Sequence, residues 1–428
     1  MSGASIVLFV VFFLLLLTTL PISYALGLTT FLYIYYYTTL PLTQVSDTLF
    51  NALNSFPLMA IPFFVLAANI MTRGGISRRL TEAANAVVGG LPGGLGMTAV
   101  LSCMLFAAIS GSSAATVVAV GTLLIPAMIK AGYGREFSTG LIASTGGLGI
   151  LIPPSVPLIV YGVVTETSIG DLFLAGIIPG VMSGLLLMGL VAFRSRRLNL
   201  GAETIQMSNR DRLLAFRDAI LGLILPIFVL GGIYGGLFTP TEAAAMAVFY
   251  SLIVTLFVYR ELNLKELVDV VVRSARMSAM IMFIIANAIL FTFVLSLERI
   301  PSEIADLFIQ ADLSKWVFLF LVNILFLIVG CFMDAIGAIL ILAPILYPVA
   351  TELGVDPVHF GIIVVMNMEI GAVTPPLGIN LFVASSISRL SALRIAKAAI
   401  PNALVLLLAL FLVTYIPDIA LAFLEREG

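Results

Sequence analysis

The chain has 428 residues, 61% of them hydrophobic and 10% charged, with a net charge of −2 and a mean hydropathy of +1.16. Soluble domains carry about 25% charged residues, so this composition cannot build the polar shell of a soluble fold. Lys and Arg are scattered and form no basic stripe, which leaves no footprint for nucleic acid.

Apolar runs of about 20 residues recur along the whole length, which predicts a polytopic α-helical membrane protein. The first run, Ser5–Leu20, has no basic leader and no small-residue cleavage site. It is therefore expected to be a membrane helix and not a signal peptide. A charged segment at about 73–90 carries Arg73, Arg78 and Arg79. A hairpin is expected at about 94–130, with its tip near ISGSSAAT (109–116), and a broken helix at about 136–165. Arg194, Arg196, Arg197, Arg210, Arg212 and Arg217 then mark a cytoplasmic linker. Beyond it, a helix at about 218–237 leads out and FTPTE (238–242) lies outside. A helix at about 243–259 returns to Arg260 and Lys265, and one at about 277–297 leads out again. The segment 300–312, with Glu303, Asp306 and Asp312, has the pattern of an amphipathic surface helix. A second hairpin is expected at about 316–350, with its tip near GCFMDAIG (330–337), and a second broken helix at about 357–388.

The two halves repeat. At an offset of 222, Pro126, Pro153, Pro154 and Pro179 fall on Pro348, Pro375, Pro376 and Pro401, and Gly132 and Gly149 fall on Gly354 and Gly371. Such self-similarity marks an internal duplication. The charge of matched connections reverses. Lys130 and Arg135 stand opposite Glu352 and Asp356, and Glu166 and Asp171 stand opposite Arg389, Arg394 and Lys397. Basic loops stay in the cytoplasm, so the copies are inverted. The segment 316–350 starts and ends on the outer side by charge and must re-enter as a hairpin; inversion gives 94–130 the same form. The expected fold is all-α and polytopic, with two inverted-topology repeats, each holding a re-entrant hairpin and a broken helix. The first repeat covers 1–197, the linker 198–217 and the second repeat 218–428. A transport unit of about 94–190 plus 316–415 is expected to stand apart from a scaffold.

Breaking a helix inside a membrane exposes carbonyls at one cut end and N–H groups at the other, which survives only where they find partners or line a cavity. Carbonyl ends suit cations and N–H ends suit anions. Ser110, Gly111, Ser112 and Ser113 stand opposite STGGLGILIPP (144–154), and GCFMDAIG stands opposite NMEIGAVTPP (367–376). The first pair supplies an oxygen cage without a carboxylate. The second adds Asp334, Asn367, Thr374 and the carbonyls around Gly337 and Gly371. Tight packing is the alternative for the small residues, and a structural role is the alternative for Asp334 and for Glu369, either protonated or paired with an Arg. No Lys or Arg falls in either tip or break. Cys103 and Cys331 lie in apolar runs, where inert thiols are expected, and His359 is expected to be a helix-end residue. No lysine follows a glycine, so there is no P-loop ATPase. No catalytic constellation is present, so no enzyme is expected.

The stretches SGSSAATVVAVGTLLIPAM (110–128), GGLGILIPPS (146–155), GGIYGGLFTPTEAAAMAVFY (231–250) and EIGAVTPPLGINLFV (369–383) resemble the large, DctM-like membrane subunit of tripartite ATP-independent periplasmic (TRAP) transporters. The resemblance covers essentially the whole chain. It implies a multi-pass protein of the bacterial inner membrane, importing organic acids such as C4-dicarboxylates, sialic acid or other sugar acids with Na⁺, two ions or more, by an elevator mechanism. It also implies a small four-helix partner, expected as a separate chain, and a periplasmic solute-binding protein. It places Na⁺ ligands among Ser110, Gly111, Ser112, Ser113, Gly147, Gly149 and Pro153, and among Gly330, Asp334, Gly337, Glu369, Gly371 and Thr374. Substrate contacts are expected from Ser112, Ser113, Ser155, Asp334, Thr374 and Asn380. Two rivals remain at this level. A stand-alone Na⁺/dicarboxylate symporter would need no binding protein. An ABC permease, suggested by Glu242-Ala-Ala-Ala, would need that segment in the cytoplasm, whereas the charge pattern puts it outside.

Overall fold

The computed structural model describes residues 3–18, 20–198, 207–310 and 314–424, and every regular element among them is helical. Eight described helices are long and apolar enough to cross a membrane. The first half runs through α1 (Gly3–Leu17), α2 (Ile22–Tyr37), α3 (Thr43–Leu53), α4 (Ala60–Arg73), α5 (Ile76–Val88), α6 (Gly94–Ser110), α7 (Ser113–Lys130), α8 (Arg135–Thr145), α9 (Val156–Val164) and α10 (Ile169–Leu198). The second half runs through α11 (Asn209–Tyr234), α12 (Pro240–Ile253), α13 (Leu264–Leu297), α14 (Ile300–Gln310), α15 (Lys315–Gly330), α16 (Ala335–Glu352), α17 (Pro357–Gly371), α18 (Ile379–Ser388) and α19 (Ala392–Tyr415). Helices α7 and α16 are displaced by 222 at both ends. The pairs α5/α14, α6/α15, α8/α17, α9/α18 and α10/α19 keep the same register to within a few residues.

The halves diverge at one place. In the first, α3 and α4 are separated by an extended Ser55 and a 3₁₀ turn at Phe56–Met59. Pro57 there lacks the amide that a continuous helix needs. In the second, the matching stretch is the single helix α13, 34 residues long, or about 51 Å at 1.5 Å per residue. That corrects the expected span of about 277–297. The helix begins early because Asn263 and Glu266 form a capping box, with each side chain accepting the other's backbone N–H. Its first turns carry Lys265, Asp269, Arg273 and Arg276, too polar to show as a membrane run. Asn263→Ala should cost about 1 kcal/mol, seen as a lower midpoint of thermal unfolding in detergent with uptake unchanged.

The linker is also shorter than expected. Arg194, Arg196 and Arg197 ride on the last turns of α10, and α11 begins at Asn209 with the Ser208 hydroxyl accepting the Asp211 N–H at 3.2 Å. Residues 199–206 lie outside the described residues.

The two ends of the molecule sort by charge. At one end Tyr234 donates to the Gly170 carbonyl at 3.0 Å and Thr241 to that of Phe56 at 3.0 Å. A crevice of about 1520 Å³ opens there, with Asp171, Asp356, Asp418 and Lys315 on its walls. The Thr239 backbone N–H and hydroxyl both donate to the Glu242 carboxylate at this end, at 2.8 and 2.9 Å. At the other end Glu261 pairs with Arg78 at 2.9 Å and Arg79 at 2.6 Å, and Arg79 lies over the Tyr259 ring. Arg135 there donates to the Ser388 carbonyl, and Arg194 lies over Phe137.

The short helices α5 and α14 clasp the hairpins. Helix α5 packs on α6, and α14 packs on α16. Along α14, Ser302, Asp306 and Gln310 are exposed while Ile300 and Ala305 are buried. The amphipathic pattern is thus satisfied on one side by the hairpin itself; Asp312 lies outside the described residues.

Candidate functional site

Two junctions occupy matched positions. In the first, α6 stops at Ser110 because Gly111 turns left-handed at φ +59°, closing the helix on the Ala107 carbonyl. A Cβ on Gly111 would stand 2.8 Å from the Pro154 carbonyl oxygen, so only glycine fits. The Gly111 carbonyl accepts the Val156 N–H at 3.3 Å, which ties the hairpin tip to the break. Ser112 caps α7, its hydroxyl accepting the Ala115 N–H at 3.5 Å. Ser110 and Thr116 share a hydroxyl hydrogen bond of 2.8 Å. Opposite them, α8 ends at Thr145, runs on as a 3₁₀ turn through Gly146–Ile150, and resumes as α9 capped by Ser155. Gly149 lies under the Ser112 carbonyl, and Pro153 faces Gly176 of α10. All of residues 144–161 are buried.

The second junction is built alike. Gly330 at the end of α15 and Gly371 at the end of α17 meet backbone to backbone, and a Cβ on Gly371 would stand 2.6 Å from the Gly330 Cα. The Cys331 carbonyl accepts the Leu377 N–H at 3.0 Å. Asp334 caps α16, with Oδ2 accepting the N–H groups of Ile336 at 3.1 Å and Gly337 at 3.3 Å. Ser112 and Asp334 therefore hold the same local role, 222 residues apart. Thr374 donates back to the Ile370 carbonyl at 2.8 Å. Both Pro-Pro bonds, 153–154 and 375–376, are cis. The junctions differ in accessibility: Pro375, Pro376 and Leu377 are exposed and Phe332 is 58% exposed, whereas 151–155 are buried.

Most expected residues are brought together as the spacing suggests. Ser110, Gly111, Ser112, Ser113, Gly149 and Pro153 gather at the first junction, and Gly330, Asp334, Gly337, Gly371 and Thr374 at the second. Ser112, Ser113, Asp334 and Thr374 are half-buried, but Ser155 and Asn380 are 0% exposed. The Ser155 hydroxyl is spent on the Leu158 N–H and the Ile150 carbonyl. Asn380 donates to the Ala143 carbonyl of α8 at 3.2 Å.

Glu369 needs a correction. The spacing groups it with the second tip, but its side chain lies over Gly147 of the first broken helix. The reason is helical rotation. Residues two apart on α17 point about 200° apart, so Asn367 and Glu369 serve different neighbours. Asn367 donates to Asn323 of α15 at 2.7 Å, and Asn323 donates to Thr414 of α19 at 3.1 Å. Asn323 and Asn402, which donates to Gly140 and Ser144 of α8, were not singled out from the sequence. A lone Asn inside an apolar run was the available signal. Cys103 and Cys331 are free and buried, and His359 meets the Val413 carbonyl at 2.8 Å on the first turn of α17.

The chemistry on offer is oxygen and dipole. The N-termini of α7 and α16 point N–H groups at the tips, and the C-termini of α8 and α17 bring carbonyls to the breaks. Among the described residues no group of three His, Cys, Asp or Glu is placed to hold a metal. Any ion at the tips would thus be held by carbonyls, hydroxyls and Asp334, a set suited to a hard monovalent cation.

A family model described as the tripartite ATP-independent periplasmic transporter, DctM component, matches residues 9–419. The C4-dicarboxylate TRAP transporter large permease protein DctM of Rhodobacter capsulatus is 44% identical over 436 residues, covering 98% of both chains. Its namesake in Pseudomonas aeruginosa is 50% identical over 374 residues, covering 87% of each. The crystal structure of the Alcanivorax borkumensis YdaH transporter shares the fold at a TM-score of 0.68 and 15% identity, covering 89% of both chains. With the inverted repeats and matched junctions in place, these likenesses show that the chain belongs to the DctM component family of TRAP transporters.

Proposed function

We propose that this chain is the inner-membrane large subunit through which a Na⁺ gradient drives import of organic acids, delivered by a periplasmic solute-binding protein. The observation that carries the reading is the matched pair of capped tips, Ser112 and Asp334, each closing on a broken helix. A cation at the carbonyl ends supplies the positive charge that the tips lack in side chains, and so builds the site of an anionic cargo. C4-dicarboxylates are the favoured cargo, because relatives named for them match nearly the whole chain. A relative in Vibrio cholerae is named for sialic acid, at 34% identity, so the class is organic anions in general.

A separate small four-helix membrane subunit completes the scaffold in this reading. Movement is by elevator: the unit of about 94–190 plus 316–415 carries both junctions across while the remaining helices stay still. The clasping of each hairpin by α5 and α14 supports this division. Reconstitution with the small subunit, in vesicles supplied with binding protein, tests the whole. Uptake should follow an imposed Na⁺ gradient and ignore ATP. Uptake that needs ATP and is indifferent to Na⁺ ends the reading.

A further inference from the structure

The two broken helices lie side by side and antiparallel, and contacts between the repeats run the length of the pair. At the outer end the Tyr161 hydroxyl of α9 donates to the Pro357 carbonyl at the start of α17, at 2.8 Å. Toward the middle Gly147 lies under Glu369, and Asn380 donates to the Ala143 carbonyl. At the inner end the Arg135 guanidinium, at the start of α8, donates to the Ser388 carbonyl at the end of α18. Positions 135, 143, 147 and 161 of the first repeat thus meet 388, 380, 369 and 357 of the second, the order that an antiparallel pair requires.

The two end contacts are related by the repeat but made by different chemistry. At the offset of 222 Arg135 falls on Pro357, so the start of each broken helix lies beside the end of the other. At the same offset Tyr161 falls on Val383, which has no polar side-chain atom. The outer contact therefore has no copy at the inner end, and the Arg135 side chain supplies the donor there. Its acceptor is well placed. Arg389 turns left-handed at φ +57° and closes α18, which leaves the Ser388 carbonyl among those without a helical partner. That carbonyl also lies at the negative pole of the helix, where a cation is favoured, and Ser388 is buried. At the outer end Gly361 makes room for the Tyr161 ring, since a Cβ there would stand 2.5 Å from it. The ring is held against Phe360 and Tyr347.

We propose that Arg135 and Tyr161 are positioning residues for transport, bolting the two broken helices together at opposite ends and so holding the two junctions at one spacing. The breaks, at 146–155 and 371–378, lie between the bolts. Neither residue touches ion or cargo; each acts through the junctions. The proposal rests on the reading of one transport unit above and deepens it, because it names what makes two inverted repeats move as one body. With one bolt gone the pair splays from that end. With both gone each broken helix follows its own hairpin.

The test uses the reconstituted complex with binding protein for uptake, and the purified full chain for spacing. Arg135→Met keeps the length of the side chain and loses its donors. It should lower the maximal uptake rate about tenfold, the low end for a hydrogen bond to a charged group, and leave half-saturating cargo within about twofold. Arg135→Lys restores a cationic donor and should regain most of the rate. Tyr161→Phe removes only the hydroxyl and should slow uptake severalfold, and the double variant should lose more than the product of the two losses. Spacing is read by dipolar broadening between nitroxides on Glu136→Cys and Ser386→Cys, exposed positions on α8 and α18, in a chain carrying Cys103→Ala and Cys331→Ala. The labels should report one narrow distance with Arg135 present, a broad one in Arg135→Met, and a narrow one again in Arg135→Lys. An unchanged spacing in Arg135→Met overturns the proposal, even if its unfolding midpoint falls, because the arginine then only caps α18. Should Arg135→Met fail to fold, Tyr161→Phe keeps the packing of the ring, and wild-type uptake by that variant overturns the proposal as well. The spacing is read without transport, so failure of the Na⁺-coupled reading would show in wild-type uptake and failure of the bolts in the labels.

Discussion

Asp334→Ala should reduce uptake below about 1% of wild type, a change of roughly 2.8 kcal/mol, while the chain still inserts and unfolds cooperatively. Asp334 does two things at once. Its carboxylate caps α16 through Ile336 and Gly337, and it brings a negative charge to a tip that has no Lys or Arg. Removing the cap alone costs about 1 kcal/mol of stability. Asp334→Ser separates the roles, because serine is the residue that caps the matching helix at Ser112. This variant should regain the thermal stability and remain defective in uptake. Near-normal uptake by Asp334→Ser, measured beside its unfolding midpoint, would show that the carboxylate serves only as a cap.

Gly371→Ala should be nearly as damaging. The new methyl would stand 2.6 Å from the Gly330 Cα and 2.8 Å from its carbonyl carbon, and backbone on both sides cannot swing away. The tip of the second hairpin must then move off its broken helix. Overpacking of this kind costs about 1–3 kcal/mol, and it falls on the contact that assembles the junction. Uptake should drop by about tenfold or more, with a lower unfolding midpoint. Gly330→Ala, with its nearest backbone neighbour at 3.0 Å, should show the same defect more mildly. Gly189→Ala is the control: nothing lies within 4 Å of its added methyl, and a helical Gly→Ala change is neutral or stabilising. If Gly371→Ala transports as well as Gly189→Ala, the Gly330–Gly371 contact is not needed for function.

The sequence by itself determined that the chain is a membrane protein, that it is duplicated and inverted, and where it breaks. Those properties are local. Composition sets the solvent, Pro and Gly stop helices within a few residues, and a constant offset of 222 exposes the duplication. The tips and breaks were legible for the same reason, since Ser112, Asp334, Gly111 and Gly371 act on neighbours a few positions away or on a break that carries its own signature. Helix α13 was only half legible, because the capping box at Asn263 and Glu266 extends it through polar turns that carry no hydropathy signal. The partners of Glu369, Asn380 and Asn402 were decided only by the tertiary structure. Each sits on a helix whose rotation about its own axis is set by packing, and each meets a segment more than two hundred residues away in sequence. A rotation of 100° per residue is enough to send Asn367 to α15 and Glu369 to the opposite repeat, and no local pattern records which way the helix turns.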